Sequence, residues 1–197
     1  MTATATPGQV IERYTNAVRA CTACPARQEA STNPIPCQVP LAAVDGGSRV
    51  RALIVAPAPV SSNWGSAAYS GLPRKVLDEF FLHAGLTAEH DVALTYLVHC
   101  PVHNGTNLTD AFATACQRFL RAEVALLRPK ALVTLGRHVT RIITGHAKLA
   151  DAIVADPHRF DGVPVVPAPA PVSTVLNEKA RQVLFRQAAL VSRLTEA

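Results

Sequence analysis

Three short apolar runs, "RALIVAPA" (51–58), "DVALTYLV" (91–98) and "KALVTLG" (130–136), are each followed by a longer stretch with helical spacing. Runs of this length that do not alternate polar and apolar fit strands buried on both faces. The stretches between them read as helices. "RKVLDEFFLHAGL" (74–86) stops at Gly85, and "TDAFATACQRFLRAEVALLRP" (109–129) opens on Thr109 as N-cap and closes before Pro129. "RHVTRIITG" (137–145) follows the third run. After a loop and hairpin at 146–162, "VPVVPA" (163–168) supplies a fourth strand, and "NEKARQVLFRQAALVSRL" a last helix capped by Asn177. Such alternation predicts an α/β fold of three layers, α/β/α, around a central four-stranded parallel sheet. Its working site should lie outside the carboxyl ends of the strands.

Upstream, Val10, Ile11, Tyr14, Ala17 and Val18 recur at helical spacing, so a helix leads into Cys21 and Cys24 of "CTACPA". The stretch "STNPIPCQVPLAAVDGGS" (31–48) is rich in Pro, Gly and Asn and reads as irregular, with Cys37 alone inside it. At 197 residues the chain suits a single domain over 1–197. It has neither a basic segment followed by an apolar run at its start nor about 18 consecutive apolar residues. We therefore expect no membrane partner and a cytoplasmic, reducing setting, in which a CxxC is catalytic or metal-binding rather than part of a disulfide framework.

The pair does not open a helix directly after a strand, as a thioredoxin-type dithiol does. Cys100 ends the second strand in "LVHCPVHNGT", and Cys116 lies sixteen residues on, within a helix. Four thiolates from two distant segments suit a tetrahedral zinc or an iron-sulfur cluster, and ligand type alone does not separate them. Against this stands the plain alternative that Cys100 and Cys116 are ordinary buried cysteines. A net charge of +5, dominated by arginine, favours a polyanionic partner such as DNA.

Taken together these motifs resemble the iron-sulfur, or family four, class of the uracil-DNA glycosylase superfamily over nearly the whole chain. "RALIVAPAPV" lies where that family runs into GEAPG, and "YSGLPRKVLDEFFLHAGL" resembles its FVGRAG segment. "DVALTYLVHCPVHNGTNLTDAFATAC" resembles its strand and cysteine segment, "LRPKALVTLGRHVTRIITG" its LxPKVIVxLG segment, and "VPVVPAPAPVSTVL" stands at its HPS segment. The resemblance implies a glycosylase-like fold and a 4Fe-4S cluster, with zinc as the lesser alternative. Cys21, Cys24, Cys100 and Cys116 would hold it and tie the segment 8–30 to the core.

It also implies vacancies. Such enzymes flip a nucleotide, stack it, read its edge with an amide and stabilise the leaving anion with a histidine. The acid of GEAPG falls on Pro57, the uracil-reading Asn on Tyr96, and the His of HPS on Ala170. With oxyanion-type donors worth about 3 kcal/mol each, ordinary uracil excision is not expected. Tyr69 takes the stacking position, and Ala58 and Asn63 complete the expected base pocket. His103 and Asn104, after the third cysteine, are the candidate catalytic pair, since an imidazole titrates near neutrality. A solvent-exposed loop is the plainer account of His103. Ser61, Ser62, Arg137, Ser173 and Thr174 are assigned to the DNA backbone, with Arg141 adding charge, His99 contacting phosphate, and His138 near DNA backbone or solvent.

Three functions follow. The first is an enzyme acting on a flipped, modified pyrimidine by excision or by chemistry on a ring substituent, in some cases with a small-molecule co-substrate. The second is a catalytically inactive, glycosylase-like protein that binds DNA or a partner enzyme. The third is a structural module with zinc or no metal. A monomer is expected throughout.

Overall fold

The computed structural model describes all residues except 1–4, 31–32, 46–48, 60–68, 102–107, 156 and 197. Strands β1 (Ala52–Ala56), β2 (Val92–Tyr96), β3 (Ala131–Leu135), β4 (His158–Phe160) and β5 (Val163–Ala168) form one sheet in the order β2-β1-β3-β5-β4. The first three apolar runs and "VPVVPA" pair in parallel as expected. The sheet nevertheless has five strands rather than four. β4 adds to the edge antiparallel to β5, because Asp161 and Gly162 both take positive φ (46° and 85°) and close a tight turn of the kind that suits the right-handed twist of a hairpin.

Every residue of β1, β2 and β3 is buried, and alternate side chains serve opposite faces. Leu53 and Val55 pack with Tyr14 and Val18 of α1 (Pro7–Arg19), Phe112, Phe119 and Leu120 of α5 (Asp110–Leu127), and Val139 of α6 (Arg137–Thr144). Ile54 and Ala56 pack with Phe80 and Phe81 of α4 (Gly71–His83) and with Leu184, Ala188 and Val191 of α9 (Glu178–Glu196). These are the three layers. Each such aliphatic or aromatic side chain contributes about 1.5–3 kcal/mol by leaving water.

The helix ends follow their local chemistry. Thr6 and Gln9 form a reciprocal capping box on α1, Thr109 accepts from the Phe112 N–H at the start of α5, and the Asn177 side chain accepts from Ala180 N–H at the start of α9. Short helices α2 (Ala26–Glu29) and α3 (Leu41–Val44) lie in or beside the segment read as irregular, α7 (Leu149–Val154) in the region read as loop, and α8 (Pro171–Thr174) just after β5. Residues 35–38 run along the outer edge of β2, where Gln38 and Leu94 exchange both backbone hydrogen bonds (2.8 and 3.0 Å) and Ile35 N–H donates to the His99 carbonyl at 2.8 Å.

Candidate functional site at the carboxyl ends of the strands

Parallel order brings the ends of β1, β2, β3 and β5 to one rim, which collects Pro57, Tyr96, Gly136 and Ala170. The rim is knitted by backbone: Leu97 N–H donates to Ala56 O (2.8 Å), Val98 N–H to Pro57 O (3.1 Å) and Gly136 N–H to Ala168 O (2.7 Å). Gly136 takes φ +91°, and a Cβ there would stand 3.2 Å from the Ala170 Cβ. Only glycine meets both demands without strain.

Tyr96 is buried at 1% exposure, and Tyr69 lies close enough for the two phenols to interact. Desolvation, followed by the neighbouring Tyr96, holds the Tyr69 phenol well above its ordinary range. Burial and then Cys37 push Tyr96 up to about 12. This wall of the rim is aromatic and uncharged. Pro57 and Ala58 are half-buried beside it and bring no titratable group, as does Ala170 on the far side. Asn63, Ser61, Ser62, His103 and Asn104 lie outside the described residues.

Beyond β3, the His138 Nε2 is buried without a hydrogen-bond partner among the described residues. Desolvation lowers its pKa, Arg141 and Arg137 lower it further and Asp110 opposes them, so the imidazole is held neutral. Arg137 is exposed. Arg141 is not the free charge expected, because it forms a bidentate pair with Asp110 that joins α6 to the start of α5. Ser173 is exposed and its hydroxyl donates to Ala170 O at 2.7 Å. Thr174 is buried and its hydroxyl donates to Pro171 O at 2.7 Å, which turns it away from any phosphate; the close packing of α8 on α4 and α9 is the reason. The turn beyond β5 instead exposes Val172 (61%) and Leu176 (98%).

His99 also differs from expectation. It is buried, its Nδ1 lies 2.6 Å from Ile35 O, and it cannot reach a phosphate. Its Nε2 stands 3.4 Å from Glu123 Oε1, an atom that accepts from Tyr14 Oη and from Thr95 Oγ1 (2.8 Å). Burial raises Glu123 to about 8 and lowers His99 to about 4, so the two meet as a neutral pair. Sequence reading missed Glu123. The available signal was its place on the stripe Phe112, Cys116, Phe119 and Leu120, whose spacing puts it on the buried face of α5.

Next to this network the four cysteines share one neighbourhood. Cys21 and Cys24 follow α1 half-exposed, while Cys100 and Cys116 are buried. Burial, then Cys116, Cys24 and Cys21, push the Cys100 thiol up to about 12. Burial first, with Cys24 and Cys21 adding to it, takes Cys116 to about 11. Yet among the described residues no three His, Cys, Asp or Glu side chains converge closely enough to hold a single ion. Four cysteines in one neighbourhood are a donor set that suits zinc and an iron-sulfur cluster alike. Arg118 Nη2 donates to Cys21 Sγ at 3.1 Å. Cys37 stands apart, buried near Thr95 and Glu123.

The family described as the uracil DNA glycosylase superfamily matches residues 44–190 of this chain, which spans all five strands and helices α4 to α8. Among curated proteins nothing matches it.

Proposed function

Because the chain belongs to the uracil-DNA glycosylase superfamily, we propose that it is a glycosylase-like DNA-binding protein that receives a flipped, modified pyrimidine and leaves ordinary uracil uncut. The observation that carries this reading is the buried Tyr96, packed beside Tyr69 where the family's resemblance places an amide reader. Uracil needs its polar edge paired, and each buried polar group left unpaired costs about 1–3 kcal/mol. A wall of two protonated phenols offers O–H groups but no amide to pair a donor and an acceptor on the uracil edge, and it accepts a ring carrying an apolar or bulky substituent more readily. Pro57 and Ala170 supply neither a base for water nor a donor to a leaving anion, so the residues of the rim orient and stack a base and exclude water from it.

DNA binding draws support from the net charge of +5, from Arg137 and Ser173 exposed on the rim, and from Leu176. An aliphatic side chain 98% exposed beside a nucleotide pocket suits a wedge that fills the stack where a base has left. A 4Fe-4S cluster on Cys21, Cys24, Cys100 and Cys116 belongs to the same reading. When bound it supplies a structural tie, and Cys21 and Cys24 fasten the end of α1 against Cys100 and Cys116.

A second reading has its own observation: the His138 Nε2 at the same rim is buried with no hydrogen-bond partner among the described residues, which suits a group that exchanges a proton in chemistry on a ring substituent. Mass spectrometry separates the two. Anaerobically purified protein is incubated with oligonucleotides carrying uracil, thymine or 5-substituted pyrimidines, with and without small amines, alongside a gel-shift of each. Binding tightest to a substituted base, with every mass unchanged, is the expected result. A mass change on the ring substituent moves the assignment to the His138 reading. Loss of uracil overturns both.

A further inference from the structure

Arg118 is the one described side chain that donates a hydrogen bond to any of the four clustered sulfurs. The guanidinium is held in place rather than free: it lies 4.7 Å above the Phe119 ring, and Phe119 is itself wedged edge-on between Tyr14 (6.4 Å) and His99 (5.5 Å). From that seat Nη2 reaches Cys21 Sγ at 3.1 Å, on the solvent side of the less buried half of the site. A second cation, Arg27, lies within electrostatic reach of Cys100 and is anchored on Asn33 Oδ1 at 2.9 Å.

We infer that Arg118 is a positioning residue of the metal centre, directing an N–H at the Cys21 sulfur and favouring the more reduced, more negative state of a bound cluster. The inference rests on the cluster reading above. Its physics is direct. Adding one electron to a cluster on four thiolates adds one negative charge, and a fixed cation with an N–H aimed at one sulfur stabilises that state more than the oxidised one. Potentials of such clusters respond to hydrogen bonds on sulfur, net charge and exposure, and Arg118 acts on the first two. Because the contact is at the exposed edge, it is the member of the shell that a substitution can reach without opening the core.

The test is spectroelectrochemical titration of the anaerobically purified full chain with mediators, for the wild type, Arg118→Gln and Arg118→Lys. Gln keeps an N–H and loses the charge, and the cluster's midpoint should move to more negative potential, by 59 mV for each tenfold loss of preference for the reduced state. Lys keeps the charge without the planar fork, and its midpoint should fall between the other two. If Gln does not retain the cluster, the Lys variant carries the test, a midpoint below wild type being the supporting result. Wild-type midpoints in every variant that loads would overturn the role of Arg118. Wild-type protein free of iron and acid-labile sulfide would instead overturn the cluster reading on which it stands.

Discussion

Glu123 and His99 are both about 1% exposed, and each has one atom, Oε2 and Nε2 respectively, with no hydrogen-bond partner among the described residues. Their titrations set opposite limits on stability. Burial raises the Glu123 carboxyl from 4.5 to about 8, against the donors Tyr14 and Thr95, so between those values the folded chain holds a proton that the unfolded chain has released. Stability from this group is full below pH 4.5 and is lost as pH rises through 8. For His99, lowered from 6.5 to about 4 by burial, the folded chain is the one lacking a proton, and stability is lost as pH falls from 6.5 through 4. Glu123→Gln keeps an acceptor for Tyr14 and Thr95 and cannot ionise. Urea midpoints at about pH 6 and about pH 9 should therefore fall with pH in the wild type and hold nearly level in the variant, with a cost under about 1.5 kcal/mol at the lower pH. That Cys21, Cys24, Cys100 and Cys116 lie near one another was legible at this scale through the motifs around them. Glu123 was not, since a lone carboxylate on a helix reads as solvated until the opposing Tyr14 and Thr95 are in place.

At the scale of elements, β1, β2 and β3 were readable as unbroken apolar runs, and α4, α5, α6 and α9 by their helical period. β4, with three residues, and α7, with six, show neither, and their packing on β5 and α6 defines them. Conformations that depend on another element stay hidden for the same reason. Gly136 looks like an ordinary end to a strand, yet its φ of +91° and its approach to Ala170 fix how α6 leaves β3 beside the turn after β5. Gly136→Ala combines a conformation unfavourable for any L side chain, about 1–2 kcal/mol, with a contact that Ala170 must yield to. We expect a loss of about 2–3 kcal/mol in urea unfolding. Gly145→Ala, also at positive φ (80°) but with open space around its Cβ, should lose only the conformational part. Equal losses in the two variants would show that neither the contact with Ala170 nor the extended positive-φ backbone of Gly136 (φ 91°, ψ 167°) adds to the cost.

For the whole molecule, the fold class was legible and the function only in outline, because alternating strands and helices specify a sheet while a pocket's contents depend on which side chains converge there. The same division governs how the chain is held together. The sheet and its two helical layers rest on extensive burial, whereas the segment around Cys21 and Cys24 touches that core through few fully buried groups, chiefly Tyr14, Val18 and Ala26. A cluster on four cysteines would supply much of what holds this segment, since metal binding free energy is folding free energy for the part it organises. Removing iron with a chelator should therefore leave the far-ultraviolet dichroism of the sheet and long helices largely intact, while limited trypsin digestion cuts first at Arg19 and Arg27. Protection should return when iron and sulfide are restored. Cutting that is the same with and without iron would mean that Tyr14, Glu123 and the aromatic packing around Phe119 hold the segment unaided, and that the cysteines are there for something other than the fold.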